Sequence, residues 1–150
     1  MAEFSPPELE DGLLFDLLDE ISNHIDNCEN VLVKLERDPG DRDLLASLFR
    51  SVHTIKGDIH IVNMEPLMPL IGGVEDVLGL LRSGEIAFSS LISDLTLTVL
   101  EVVHNFVDDC ARHQRAEYDS EMFAEAQVCL ERVVPNNPEE NERLLSRALL

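Results

Sequence analysis

Apolar residues return every three or four positions along most of the chain, the spacing that places them on one face of an α-helix. Leu14, Leu17, Leu18, Ile21, Ile25, Cys28, Leu32 and Leu35 make the first such stripe. Ahead of it, Ser5-Pro6-Pro7-Glu8 offers a capping hydroxyl, a proline at the first helical position and a glutamate at the third. The pattern predicts a first helix reaching about Arg37, with Gly12 as a point of breakage and Asp38-Pro39-Gly40-Asp41 as the turn behind it. A second helix carries Leu45, Leu48, Phe49, Val52, Ile55 and Ile59 inward and ends near Asn63. Residues 65–82 make a third, with Leu67, Leu70, Ile71, Val74, Leu78 and Leu81 inward. Pro66 and Pro69 fit there because the first four amides of a helix have no intrahelical partner, and Ser83-Gly84 closes the element.

Ser89 or Ser90 caps a fourth helix, whose inner face holds Leu95, Val99, Val102, Val103, Phe106 and Cys110. A fifth segment bears Met122, Phe123, Ala126, Cys129, Leu130 and Val133. Helices of this length on short loops predict an all-α fold, an antiparallel up-and-down helical bundle with a four-helix core, one additional helix and no β-sheet. The bundle should occupy residues 1–134. Residues 135–150 read as a Pro/Asn linker and a short amphipathic C-terminal helix, capped by Asn137 and bearing Leu144, Leu145 and Leu149.

Composition agrees: 45% apolar residues exclude wholesale disorder, and one Tyr, no Trp and abundant Leu and Glu favour helix over strand. A net charge of -19 repels nucleic acid and anionic lipid, so neither is an expected partner. That charge either keeps the chain dissolved or steers a basic partner surface. Cys28, Cys110 and Cys129 show neither a disulfide framework nor zinc spacing. No apolar run approaches the ~18 residues of a membrane span, and the acidic N-terminus is unlike a signal peptide. The expected compartment is the cytoplasm.

Chemistry concentrates in Leu48-Phe49-Arg50-Ser51-Val52-His53-Thr54-Ile55-Lys56-Gly57. With Val52, Ile55 and Ile59 turned to the core, His53, Lys56, Gly57 and His60 share an outward stripe. A neutral imidazole nitrogen is a nucleophile toward a phosphoryl group, and the N–P bond it forms is labile enough to be passed on. Lys56, one turn away, offers positive charge to phosphoryl oxygens. Gly57 costs a helix interior about 1 kcal/mol relative to Ala, and close approach by another protein explains its presence.

The H-x-x-K-G pattern on an amphipathic helix resembles the phosphorylation site of histidine phosphotransfer (HPt) domains, above all the N-terminal phosphorylated domain of chemotaxis-type histidine kinases. Leu44-Leu45-Ala46-Ser47-Leu48-Phe49-Arg50 resembles the approach to that motif, and Leu81-Arg82-Ser83-Gly84-Glu85 the end of the following helix, over about residues 13 to 134 in all. In the family, a glutamate on the next helix accepts a hydrogen bond from the phosphorylated histidine. Counting back from Arg82-Ser83-Gly84-Glu85, the resemblance puts it at Glu75. Such a bond would set the tautomer and leave the far nitrogen as nucleophile; otherwise Glu75 is one of many acids on a solvated face.

Residues after the glycine are usually small in that family, whereas here they are Asp58, Ile59 and His60. Asp58 is expected to bring negative charge close to the phosphoryl acceptor. His60 is either a second polar contact or, like His24, His104 and His113, an ordinary surface residue. Cys110 and His113 lack a second ligand pair, so no metal is expected. Gly72, Gly73 and Gly79 bracket Glu75 and mark either a side-chain-poor docking surface or tight helix packing.

The chain has no G-x-x-x-x-G-K-[ST] and no kinase-type glycine-rich loop, so no nucleotide cofactor is expected. The resemblance implies a carrier, not an enzyme: a histidine kinase domain, in cis or in trans, loads His53, and a response-regulator receiver domain takes the phosphoryl group. The alternatives are a degenerate HPt that binds such partners without carrying phosphate, and a plain helical adaptor. Intact His53, Lys56 and Gly57 favour the carrier.

Overall fold

A computed structural model describes residues 1–10 and 12–133. The linker and tail helix expected beyond residue 134 lie outside the described residues. The elements in chain order are β1 (Ala2–Phe4), α1 (Leu13–Arg37), α2 (Arg42–Ile61), a 3-10 turn (Glu65–Leu67), α3 (Met68–Ser83), α4 (Ser90–His113), β2 (Ala116–Tyr118) and α5 (Ser120–Glu131).

Short polar residues start three of the helices. The Asp41 carboxylate accepts from the amides of Asp43 and Leu44 at the head of α2. Ser89 Oγ accepts from the Ile92 amide at the head of α4, and Asp119 accepts from the amides of Glu121 and Met122 at the head of α5. Each satisfies a donor that the helix itself leaves unpaired. Pro66 falls in the 3-10 turn and Pro69 in the first turn of α3, where a missing N–H costs nothing. Gly84, at φ 80°, ends α3 in the left-handed conformation that favours glycine.

The bundle closes as a ring: α1 packs on α2, α2 on α3, α3 on α4 and α4 back on α1, while α5 lies against α3. Leu18, Ile21, Ile25, Leu48, Ile55, Ile71, Leu100 and Val103 are among the side chains sealed in the middle. The four-helix core with one additional helix is as the periodicity predicts. Gly73 lets α5 approach α3, since a Cβ there would lie 2.8 Å from Leu130 Cδ1, whereas a Cβ at Gly72 or Gly79 would meet open space. Tight packing thus explains Gly73, and only Gly72 and Gly79 remain as bare surface.

Several expectations need correction. The fold is not free of strands: β1 and β2 pair antiparallel, with Ala2 opposite Tyr118 and Phe4 opposite Ala116. Three residues are too few to show a two-residue periodicity, and the ribbon depends on aromatic packing more than on its own pairing. Phe4 and Tyr118 lie 5.4 and 5.6 Å from Phe106, and Phe123 lies 4.9 Å from Tyr118. With residues 2–4 tied to β2, the Ser5-Pro6 signal starts no helix, and α1 begins after Gly12, which turns the chain at φ 74°. Met122, expected inward, is 43% exposed, and α5 buries Phe123 and Leu130. Finally, α4 is long and apolar enough to cross a membrane by length and composition, but half of that stretch is buried inside the protein. It is a core helix, which explains its composition.

Candidate functional site

The face of α2 is set by Leu48, Val52, Ile55 and Ile59, all fully buried against the bundle. That orientation turns His53 outward, leaving its side chain 72% exposed. Across the groove, Val74 and Leu78 anchor α3 in the core and hold Glu75 between them at the edge of α2. Glu75 Oε2 lies 2.8 Å from His53 Nδ1, and Glu75 Oε1 accepts from Lys56 Nζ at 3.0 Å. One carboxylate therefore ties together two groups that stand three residues apart on the neighbouring helix.

Electrostatics follow from that geometry. Burial alone would raise the Glu75 carboxyl, but the hydrogen bonds from His53 and Lys56 outweigh it and hold the group below its ordinary value. An ionised carboxylate only accepts, so the proton of the neutral His53 ring sits on Nδ1. The lone pair is then on Nε2, pointing away from Glu75 into solvent. Lys56, 38% exposed, places a positive charge one turn from that nitrogen.

Gly57 is exposed one turn beyond His53, and a Cβ there would meet no neighbour. His60 is exposed on the same side and has no polar partner among the described residues, consistent with an ordinary surface histidine. Asp58 is not near the site. Five residues beyond His53 it has rotated about 140° around the helix and is buried against α1, beside Glu20 and His24. Burial first, and the Glu20 charge second, push its carboxyl up to about 6. The extra negative charge expected beside the phosphoryl acceptor is therefore absent. Among the described residues no cluster of His, Cys, Asp or Glu is disposed to hold a metal ion, and the Cys110 thiol is buried in the core.

Two further residues adjoin His53. The Phe49 ring, one turn earlier on α2, lies within 10° of parallel to the imidazole at 6.4 Å between centroids. The Arg82 guanidinium from the end of α3 lies 4.2 Å from the centre of that ring. The i, i+4 spacing of Phe49 and His53 is a signal that sequence reasoning had available but assigned wholly to the core; nothing in the sequence pairs Arg82 with Phe49.

A comparison with family models matches residues 12–106 to the Hpt domain. The chain belongs to the Hpt domain family. This Hpt domain is 32% identical over 99 residues to the chemotaxis protein CheA of Treponema pallidum, covering 66% of this chain and 12% of that protein. It is 36% identical over 91 residues to the sensor histidine kinase CheAY of Helicobacter pylori, covering 61% of this chain and 11% of that one. The chain thus spans about an eighth or less of the length of these relatives. Among solved structures, the CheA phosphotransferase domain from Thermotoga maritima superposes with a TM-score of 0.64 at 25% identity, over 68% of this chain and 97% of that one. The solution structure of the histidine phosphotransfer domain of CheA gives 0.70 at 22% identity, over 80% and 92%, a likeness of fold.

Proposed function

We propose that this Hpt domain is a phosphorelay carrier in which His53 receives a phosphoryl group from a histidine kinase domain and gives it to the acceptor aspartate of a response-regulator receiver domain. The observation that carries the reading is the pairing of His53 Nδ1 with Glu75 at 2.8 Å on a side chain 72% exposed, which in the neutral ring puts the proton on Nδ1 and the lone pair on the outward Nε2. In loading, the Nε2 lone pair attacks the γ-phosphorus of the nucleotide held by the kinase. The N–P bond forms, the P–O bond to the nucleoside diphosphate breaks, and its electrons leave with that diphosphate. The ring then carries positive charge, which the Glu75 carboxylate stabilises through Nδ1–H, while Lys56 faces the phosphoryl oxygens. In delivery, a receiver carboxylate oxygen attacks phosphorus and the N–P electrons return to Nε2.

Gly57 leaves the helix surface bare beside the acceptor, so a partner active site can close on it. The nucleotide chemistry belongs to the kinase partner, and a partner that draws on ATP fits a carrier working in the cytoplasm. In the test, the protein is incubated with a histidine kinase domain and labelled ATP, and the label is assayed for acid lability. His53→Gln should abolish incorporation and His60→Gln should retain most of it, with both variants melting as the parent does, because exposed polar substitutions shift stability by less than ~0.5 kcal/mol. Equal loss in both variants would refute the assignment of His53.

A further inference from the structure

Arg82 stands in the last turn of α3, exposed, in a chain with thirty acidic residues. It nevertheless has no carboxylate within ion-pair distance among the described residues; the described pairs involve His24, His53, Lys56 and Arg112. Its guanidinium rests on the Phe49 ring instead, and that ring runs nearly parallel to the imidazole of His53. The helices run antiparallel here: Lys56 and His53 meet Glu75, and one turn back along α2 Phe49 meets Arg82, seven residues forward along α3. Gly79 lies between Glu75 and Arg82 and has open space above its Cα, so this position of α3 sets no side chain beside the exposed imidazole.

The Glu75 hydrogen bond fixes one atom of the ring but not its plane. A ring held at a single nitrogen still swings about that contact, and a nucleophile that swings spends little time aligned for attack. A flat neighbour restrains the swing only if it is itself held. Phe49 is half-buried on its own helix, and the guanidinium over its face limits its remaining rotation.

We propose that Arg82, acting through Phe49, is a second positioning residue for His53, orienting the plane of the imidazole while Glu75 orients its nitrogen. The proposal rests on the carrier reading of His53 and adds the device that aims Nε2. The competing roles for Arg82 are to complement the C-terminal dipole of α3, which affects stability alone, and to dock a partner, which matters only when a partner is present.

A small phosphodonor separates these roles because it needs no docking surface. With phosphoramidate, Nε2 attacks phosphorus, the new N–P bond forms, and the donor's own P–N bond breaks with its electron pair leaving on ammonia. Arg82→Gln should slow this loading about threefold to fivefold, the scale of one exposed cation–π contact. Arg82→Lys, which keeps the cation but not the planar stack, should recover part of the rate. Phe49→Leu should slow loading at least as much as Arg82→Gln, and the double variant no more than Phe49→Leu alone, since Arg82 has no route to His53 except the ring. The ring-current shifts of the His53 carbon-bound protons supply a readout that needs no Phe49 variant: they should move toward those of a free side chain in Arg82→Gln and partly return in Arg82→Lys. Unchanged loading and unchanged shifts in Arg82→Gln would overturn the proposal while leaving the carrier reading intact, and so would a double variant slowed by the product of the single effects. Failure of the parent protein to load on His53 would overturn both.

Discussion

Removing the Glu75 carboxylate isolates what the hydrogen bond to His53 does. In Glu75→Ala the two contacts at 2.8 and 3.0 Å disappear together. Charge-assisted hydrogen bonds contribute about 1.5 to 3 kcal/mol, but the His53 side chain is 72% exposed and water replaces part of the loss, so about 1 to 1.5 kcal/mol of transition-state positioning is at stake. Loading by a kinase should therefore slow about tenfold. Stability should fall by less than ~1 kcal/mol, because Lys56, 38% exposed, is free to hydrate once its partner is gone. Nitrogen chemical shifts of the ring supply the mechanistic check: the parent should hold its proton on Nδ1, and the alanine variant should shift population to the Nε2–H tautomer, which has no lone pair at the attacking atom. Glu75→Gln keeps an accepting oxygen without the charge and should fall between. Because the Glu75 carboxyl is held below its ordinary value of 4.5, the pair's stabilisation is present above that pH and is lost as the pH falls through the lower folded value. Parent-like loading together with a parent-like tautomer in Glu75→Ala would refute the reasoning and make Glu75 an ordinary surface acid.

Three other perturbations probe the fold and its docking surface. Gly57→Ala should stabilise the protein by up to ~1 kcal/mol in denaturant melts, since its Cβ meets no neighbour, while Gly57→Leu should impede transfer to a receiver in a phosphotransfer assay. Gly73→Val should destabilise by about 1 to 2 kcal/mol by driving Leu130 and α5 off α3, whereas Gly79→Ala should be neutral or stabilising; equal melting of the two variants would contradict the packing described. Asp58, faced by Glu20 and His24, has a carboxyl raised from 3.8 to about 6, so its contribution to stability is full below about pH 4 and is lost as the pH rises through 6. Asp58→Asn should consequently stabilise the protein at pH 7.5 by about 1 kcal/mol, a figure reduced from the full shift because water reaches part of the carboxylate, and should change little at pH 4. The comparison needs only denaturant melts at the two pH values.

The helices of this Hpt domain were legible because what makes them is local. Apolar stripes at three- and four-residue steps, Asp38-Pro39-Gly40-Asp41 as a turn, Ser89 as a cap, and Gly84 as a stop each act within a turn or two of their own position, so neighbouring residues suffice to recognise them. The outward face of His53, Lys56 and Gly57 followed from the same periodicity. That periodicity also placed Asp58 on the other side, and its sequence proximity to His53 was the wrong guide. Glu75 is different in kind: 22 residues separate it from His53, and only likeness to a family pointed to it.

What the chain determined by itself is therefore the set of amphipathic helices, most of their ends and the histidine that faces out, all products of short-range backbone and side-chain preferences, whereas the start of α1 was decided by the pairing of residues 2–4 with β2. Tertiary structure alone decided that Phe4 reaches Phe106 and Tyr118 to hold a two-stranded ribbon, that Leu130 seats over Gly73, and that Arg82 covers the ring beside His53. Those contacts join residues far apart in the chain, and the side chains involved carry no local mark of their partners. They form because burying the helices' apolar stripes against one another leaves only one arrangement of what stands at their edges.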